Sequence, residues 1–232
     1  MRQGGVLRPA LGLLLAATLT LGLAGGCSRE LADPDAALNA AKRHLDRSET
    51  VRFRVQGDRL PDSGVLLLSG RGQAKRPSSF RGSFRVSTSG VSSTVRVVSI
   101  DGQLYARLPL TTEFAEVEPS DLGIPDPARL LDPDRGMSTL LADARRVRAI
   151  GQIRQDDVVL DEVSATVPAK SVARFLYVAD QEGHVRATFR LVPESHELRS
   201  ATFTGPFYGK DDRSRYTITL DEYGEPVRIE RP

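Results

Sequence analysis

The sequence predicts an α+β fold: a long antiparallel meander of short strands, bent into a strongly curved sheet or partial barrel, with a few helices covering one face. Three observations carry that prediction. Apolar and polar residues alternate at period two through many short stretches on both sides of a Pro- and Asp-rich middle segment. Turn dipeptides separate these stretches, Ser89-Gly90 and Asp101-Gly102 most clearly. Helical patterning is confined to four brief regions.

The first helix spans Pro34–Arg47. Asp33 stands where a cap belongs, Pro34 suits the first helical turn, and Ala36, Ala37, Ala40, Ala41 and Leu45 form an apolar stripe. The period then drops to two. Val51, Phe53 and Val55 alternate with Arg52, Arg54 and Gln56, the pattern of a half-buried strand. Val65–Ala74 is a second strand, in which Leu66, Leu67 and Leu68 follow one another, so both faces are apolar there. Ser79–Thr88 sets Phe84 and Val86 against Arg81, Ser83 and Arg85. Val91–Ile100, Gln103–Leu108 and Glu113–Glu118 continue the meander.

The middle segment holds a short helix, Pro127–Leu131, capped by Asp126, and a second from Gly136 to Ala144 with Met137, Leu140 and Leu141 apolar. Strands resume at Arg146–Arg154, Asp157–Val167, His184–Val192, Leu198–Thr204, Ser214–Asp221 and Val227–Arg231, interrupted by a helix over Pro168–Tyr177. Glu182-Gly183, Asp211-Asp212 and Tyr223-Gly224 fall in turns.

The chain starts differently. Arg2 and Arg8 precede an apolar run of about fourteen residues, Leu11–Ala24, too short for the ~20 that a spanning helix needs. Gly25 and Gly26 then lead into Cys27, the single cysteine. Cation, apolar run and small residues in that order make an export signal. A cysteine directly behind it resembles a bacterial lipobox, with Ala24 where Leu is usual. Residues 1–26 are therefore expected to be a lipoprotein signal peptide. Cys27 would carry a diacylglyceryl group, with residues 27–33 as tether and residues 34–232 as one domain. Such an anchor holds the protein to the cell membrane on its extracytoplasmic face. An ordinary secretory signal with a leftover thiol is the alternative.

Composition excludes several classes. The chain has 32 Lys and Arg against 30 Asp and Glu, and removing Arg2 and Arg8 with the signal leaves 30 of each. A neutral mature chain gives no warrant for a nucleic-acid partner. One cysteine allows no internal disulfide. Trp is absent, which weighs against a sugar-stacking lectin. His44, His184 and His196 lack metal-ligand spacing, no GxSxG elbow is present, and Gly70-Arg71-Gly72 lacks the rest of a phosphate loop. Asp132-Pro133-Asp134-Arg135-Gly136 lacks the ligand run and closing Glu of a calcium loop and reads as a turn. Glu116 and Glu118 read as a solvated strand face. No catalytic, metal or cofactor site is expected.

What remains is apolar strand surface: Phe53, Val55, Leu66, Leu68, Phe84, Val86, Val95, Val97 and Leu104. These residues either form an ordinary core under the helices or line a concave sheet that the helices do not fill, leaving a cavity for a lipid.

The stretches DGQLYARLP (Asp101–Pro109), PDPARLLDPDRGMSTLL (Pro125–Leu141), ATVPAK (Ala165–Lys170) and YTITLDEYGEPVRIERP (Tyr216–Pro232) resemble, in order and spacing, the actinobacterial LppX/LprA/LprF/LprG lipoproteins. Phe114 stands where members often carry Trp. The resemblance implies a half-barrel like the LolA/LolB carriers, with helices on the concave side enclosing a hydrophobic cavity. It implies a carrier of acylated lipids or lipoglycans from the cytoplasmic membrane toward the outer envelope, without catalysis, in some members beside a major-facilitator efflux transporter. The cavity candidates are Phe53, Val55, Leu66, Leu68, Phe84, Val86, Val95 and Val97. Two rivals stay open: a collapsed envelope interaction protein of the same fold that binds no ligand, and a hydrolase, which would need a Ser beside His184 or His196.

Overall fold

The computed structural model describes residues 31–119 and 126–232; Cys27 and the segment before it lie outside the described residues. Helix α1 (Pro34–Arg47) begins at its expected cap, where Asp33 Oδ1 accepts the Ala36 N–H at 2.8 Å. Its stripe Ala37, Leu38, Ala41 and Leu45 is buried.

The strands are β1 (Thr50–Asp58), β2 (Val65–Lys75), β3 (Ser79–Thr88), β4 (Val91–Ile100), β5 (Gln103–Arg107), β6 (Ala115–Val117), β7 (Arg145–Gln155), β8 (Val158–Pro168), β9 (His184–Leu191), β10 (Leu198–Gly205) and β11 (Ser214–Asp221). They form one antiparallel sheet in the order β6-β5-β4-β3-β2-β1-β11-β10-β9-β8-β7. Two tight hairpins have both central residues in the left-handed region, Ser89 (φ 51°) with Gly90 (φ 79°) and Asp101 (φ 53°) with Gly102 (φ 81°). Such turns match the twist of the strands they join.

This order explains the helices. The first meander runs outward to β6 at one edge, and the second begins at β7 on the other. The connection between them crosses the sheet, carrying a 3-10 helix (Pro127–Leu131) and helix α2 (Thr139–Ala142). The 3-10 helix packs on β2, β3 and β4, while α1 packs on α2 and β7. Helix α3 (Ala169–Val172) packs on β8 and β9. Buried side chains from these helices and from strands in both halves join in one connected core, including Leu38, Phe80, Leu140, Phe189 and Tyr216. A single sheet this wide surrounds one core only by curving around it. The architecture is an open, curved antiparallel sheet, a half-barrel with helices on its inner face.

Four sequence expectations are corrected. Val227–Arg231 is not a strand. Both edges of β1 are already taken, by β2 and β11, so no pairing partner remains there. The segment instead lies across the end of β1 and β2, where Thr50 Oγ1 donates to the Glu225 carbonyl (2.7 Å) and Lys75 Nζ to that of Val227 (3.2 Å). The helix expected over Gly136–Ala144 is the single turn α2. Before it, Asp132 Oδ1 accepts the N–H groups of Asp134 and Arg135, each at 2.9 Å, and the Gly136 N–H returns to the Asp132 carbonyl at 2.7 Å. Burial pushes the Asp132 carboxyl up, but those two N–H groups and the Arg135 guanidinium outweigh it and hold its pKa below the usual value. The helix expected over Pro168–Tyr177 is likewise one turn, because β8 stays paired through Pro168 and the Ala169 N–H goes to Gly183. Finally, the three leucines of β2 are not simply two apolar faces. A bulge between Leu67 and Ser69 leaves Leu68 without a cross-strand partner.

Two outcomes follow. Removing residues 228–232 is expected to change unfolding free energy by less than about 0.5 kcal/mol in urea titration, as for exposed unpaired chain. Leu140→Ala, deep in the core, should cost about 2–5 kcal/mol in the same titration.

Candidate functional site

The inner face of β1–β5 is read directly from the register. One cross-strand row runs Leu220, Phe53, Gly72, Gly82, Val97 and Ala106. The next runs Ile218, Val55, Gly70, Phe84 and Val95. A third, flanking the bulge, pairs Leu67 with Val86. Six of the eight candidates, Phe53, Val55, Phe84, Val86, Val95 and Val97, therefore share one continuous surface. Leu66 does not. It pairs with Ser87, whose neighbour Val86 faces inward, so Leu66 stands on the opposite face. Leu68 is the extra residue of the bulge. A one-residue slip moves a side chain to the other face, and an unforeseen bulge does the same.

Three phenyl rings lie over three glycines. Phe53, Phe80 and Phe84 stack pairwise, with centroids 5.4, 6.2 and 6.1 Å apart and interplanar angles of 27°, 29° and 6°. A Cβ on Gly70 would stand 2.5 Å from the Phe84 ring, one on Gly72 2.7 Å from Phe53, and one on Gly82 2.9 Å from Phe80. The glycines let the rings lie against the sheet and make a smooth apolar floor. This accounts for Gly70 and Gly72, which the sequence left as an incomplete phosphate loop.

The 3-10 helix lies above that floor and is fastened to it. Ser99 Oγ, fully buried on β4, donates to Asp126 Oδ1 at 3.1 Å, and the same oxygen accepts the Ala128 N–H at 2.9 Å. Ala128 and Leu131 of that helix are buried, and Met137, Leu140 and Leu141 after it are buried in the same core. Beneath it Phe53, Phe80 and Val97 are buried. Toward the β3–β4 turn the floor emerges: Leu67, Phe84, Val86 and Val95 are half-buried, and Val65 and Val91 are each 71% exposed.

A tyrosine chain borders this emerging strip. Tyr177, 64% exposed, stacks on Tyr208 at 5.9 Å. The Tyr208 and Tyr216 hydroxyls share a short hydrogen bond, and Tyr216 Oη donates to the Leu67 carbonyl at 2.9 Å, beside the bulge. Burial raises the pKa of both Tyr208 and Tyr216, so both remain neutral donors at physiological pH. Sequence reasoning missed these tyrosines. The available signal was Tyr216 on the apolar face of β11, alternating with Ile218 and Leu220.

Elsewhere, a cleft of 580 Å3 opens where α1 ends against the β9–β10 turn, lined by Arg43, His44, Arg47, Glu194, His196 and Tyr223 among others. It brings together His44 and His196, which the sequence showed as isolated. His44 Nε2 lies 3.9 Å from Glu197 and its ring meets Tyr223 edge-on, while His196 Nδ1 has no hydrogen-bond partner among the described residues. None of the apolar candidates lines it.

The fold and this floor together define a half-barrel whose inner face is apolar and covered by short helical pieces. Residues 33–229 match the LppX_LprAFG lipoprotein family. The chain belongs to that family. It is 25% identical over 175 residues to the lipoarabinomannan carrier protein LprG of Mycobacterium tuberculosis, covering 75% of this chain and 71% of that protein. The crystal structure of LprF from Mycobacterium bovis superposes with a TM-score of 0.69 at 17% identity, covering 86% of this chain and 96% of the other. That of LppX from Mycobacterium tuberculosis gives 0.61 at 18% identity, with 84% and 97% covered. These two likenesses establish the fold.

The glycine floor has a measurable consequence. A Cβ on Gly72 would stand 2.3 Å from the Arg81 carbonyl oxygen and 2.9 Å from the Gly82 backbone as well as against the Phe53 ring, whereas the atoms nearest one on Gly70 are side-chain atoms of Phe84 and Val55. Gly72→Ala should therefore cost about 1–3 kcal/mol in chemical unfolding, and Gly70→Ala less, since the half-exposed Phe84 ring can swing aside.

Proposed function

We propose that this chain is an envelope lipoprotein that receives the acyl chains of a lipid or lipoglycan between the inner face of its sheet and the helices over it, and hands them on without a chemical step. In this reading Cys27 bears the diacylglyceryl anchor on the extracytoplasmic face, the cargo moves from the cytoplasmic membrane toward the outer envelope, and a major-facilitator efflux transporter acts beside it. The observation that carries the reading is the half-buried strip of Leu67, Phe84, Val86 and Val95, which continues inward to Phe53, Val55 and Val97. Its apolar side chains meet an acyl chain entering beside the bulge, and the family relative named a lipoarabinomannan carrier fits an acylated lipoglycan as cargo.

Energetics agree. An ordinary acyl chain exposes more than a dozen methylenes, and at about 0.8 kcal/mol each its transfer from water is worth on the order of 10 kcal/mol. A carrier must cover that surface and give it up again. Non-covalent contact with valine, leucine and phenylalanine does both. Loading requires the cover to lift, because the inner space is occupied by Leu131, Met137, Leu140 and Leu141. The 3-10 helix, held by Asp126 and Ser99, is the piece lying over the floor that moves with least disruption of strand pairing.

That filled inner face also favours a second reading, an interaction protein of the same fold with no ligand. Native mass spectrometry of the chain purified from an actinobacterial membrane fraction, followed by organic extraction, separates the two. A discrete lipid near one per chain is the expected result. A mass without lipid, unchanged after incubation with total envelope lipid, would sink the carrier. Phe84→Trp, crowding the strip where it is half-buried, is expected to reduce lipid uptake severalfold while far-UV circular dichroism stays unchanged; full uptake by the folded variant removes Phe84 from the binding surface.

A further inference from the structure

The outer face of the same strands is one-sided in charge. Strands β1–β5 carry Arg52, Arg54, Arg71, Lys75, Arg81, Arg85, Arg96 and Arg107 against one carboxylate, Asp58, in a chain that is close to neutral as a whole. The register turns this excess into a surface. Arg54, Arg71, Ser83, Arg96 and Arg107 form one cross-strand row from β1 to β5. Arg52, Gln73, Arg81, Val98 and Tyr105 form the row on one side, and Gln56, Ser69, Arg85 and Thr94 the row on the other. At about 4.8 Å per strand the central row spans roughly 20 Å.

Few of these charges are neutralised. Arg54 pairs with Asp221 at 2.6 Å, Arg52 with Glu222, and Arg81 donates to Gln73 at 2.7 Å. The Arg107 guanidinium lies over the Phe114 ring at 5.5 Å. Exposed Arg71, Arg85 and Arg96 have neither an ion pair nor a hydrogen bond among the described residues. Arg54, Arg71 and Arg85 share an open groove of 450 Å3 with the hydroxyls of Ser69, Ser83 and Thr94, and its lining contains no carboxylate. Asp58, at the margin, faces Arg215 and Arg59 at 3.6 and 3.7 Å. Like charges on neighbouring strands oppose folding, so nothing in the stability of the sheet asks for this arrangement.

We infer that the outer face of β1–β5 docks on a bilayer surface rich in anionic phospholipids. The shape selects this partner. Exposed guanidiniums in a shallow groove hold one small free anion weakly, because water and salt screen each contact. A membrane presents many phosphates at once, and each cation near an anionic surface strengthens binding by about fivefold. The rows lie on a sheet surface broad enough to meet several headgroups together, with serine and threonine hydroxyls between the arginines to donate to phosphate oxygens. Apolar side chains stand at the end of the same strands: Val65 and Val91, the exposed end of the inner floor, flank Thr88 in one row, and Leu110, three residues past β5, is fully exposed. That combination of cations with adjoining apolar side chains suits a headgroup boundary. The inference goes beyond the carrier reading, since a chain carrying no cargo would still dock, and rests on that reading only for the Cys27 anchor used in the test.

The test uses the full chain reconstituted into phosphatidylcholine vesicles, with capture of a second population of fluorescent vesicles as the readout. Vesicles rich in phosphatidylglycerol should be captured and pure phosphatidylcholine vesicles should not, with capture falling steeply as salt rises. Replacing Arg71, Arg85 and Arg96 together by Gln should weaken capture roughly a hundredfold, with the melting temperature unchanged because these side chains bond to nothing. Replacing Arg43, Arg47 and Arg228 by Gln removes the same charge elsewhere and should leave capture intact. Equal loss in both triple variants would mean that net charge alone is at work and would overturn the proposal. So would unchanged capture by the outer-face variant, or equal capture of neutral vesicles.

Discussion

An open sheet of eleven strands has a large apolar face to hide and little helix with which to hide it. That mismatch governs the molecule. A flat sheet would leave most of the inner face in water, so the sheet curves and its two halves meet at the same core. The cover cannot come from a long helix after each strand, because antiparallel hairpins leave no room for crossovers. It comes from α1, before the first strand, and from the one connection that must travel from edge to edge, between β6 and β7. The helical pieces in that connection are short because each needs only to cap a patch of floor.

The floor adapts in turn. Where the 3-10 helix comes down on β2–β4, β2 and β3 present glycines, and the neighbouring phenyl rings occupy the space their side chains would fill. A layer of parallel rings is thin and smooth. In the proposed loading step such a surface would part from its cover without interlocked side chains to resist sliding. Asp126 and Ser99 provide the opposite quality, a localised polar fastening at the centre of an apolar contact.

Much of the fold was legible because its signals were local. Helix α1 and strands β3, β4 and β11 fall at the expected residues, since a capping Asp, a Pro at the first turn, left-handed hairpin dipeptides and strict alternation each act within a few residues. The expectations that failed depended on distant partners. Val227–Arg231 has the alternation of a strand but no free edge to join. Met137 belongs to an apolar cluster of helical composition, yet the Asp132 turn sets its position. Six of the eight apolar candidates share a face because period two survives through β1, β3 and β4. Leu66 and Leu68 depart because a bulge breaks the period, and three leucines in succession carry no mark of where the extra residue lies. The Arg-, Ser- and Thr-rich opposite face is visible in the same alternation, but its excess of cations over acids is not. Whole-chain charge is nearly balanced, so the segregation appears only when cations and acids are counted strand by strand.

The two faces of β1–β5 constrain each other. Alternation assigns every second residue to the core, so an apolar inner floor and a cationic outer surface are written on the same stretch of chain. Strands almost free of carboxylates, with Asp58 only at the end of β1, meet both demands. An acid on the inner face would be buried without a partner, and one on the outer face would neutralise its arginine neighbours. A surface held against phosphates by its outer side would bring the open end of the floor, with Val65, Val91 and Leu110, close to the headgroup region. Acyl chains leaving a bilayer would then meet Leu67, Val86 and Phe84 before crossing much water. The guanidiniums contribute attraction that salt and distance weaken, whereas the floor contributes attraction that grows with buried length. In the proposed docking and carrier roles, the first would set where the molecule rests and the second what it lifts away.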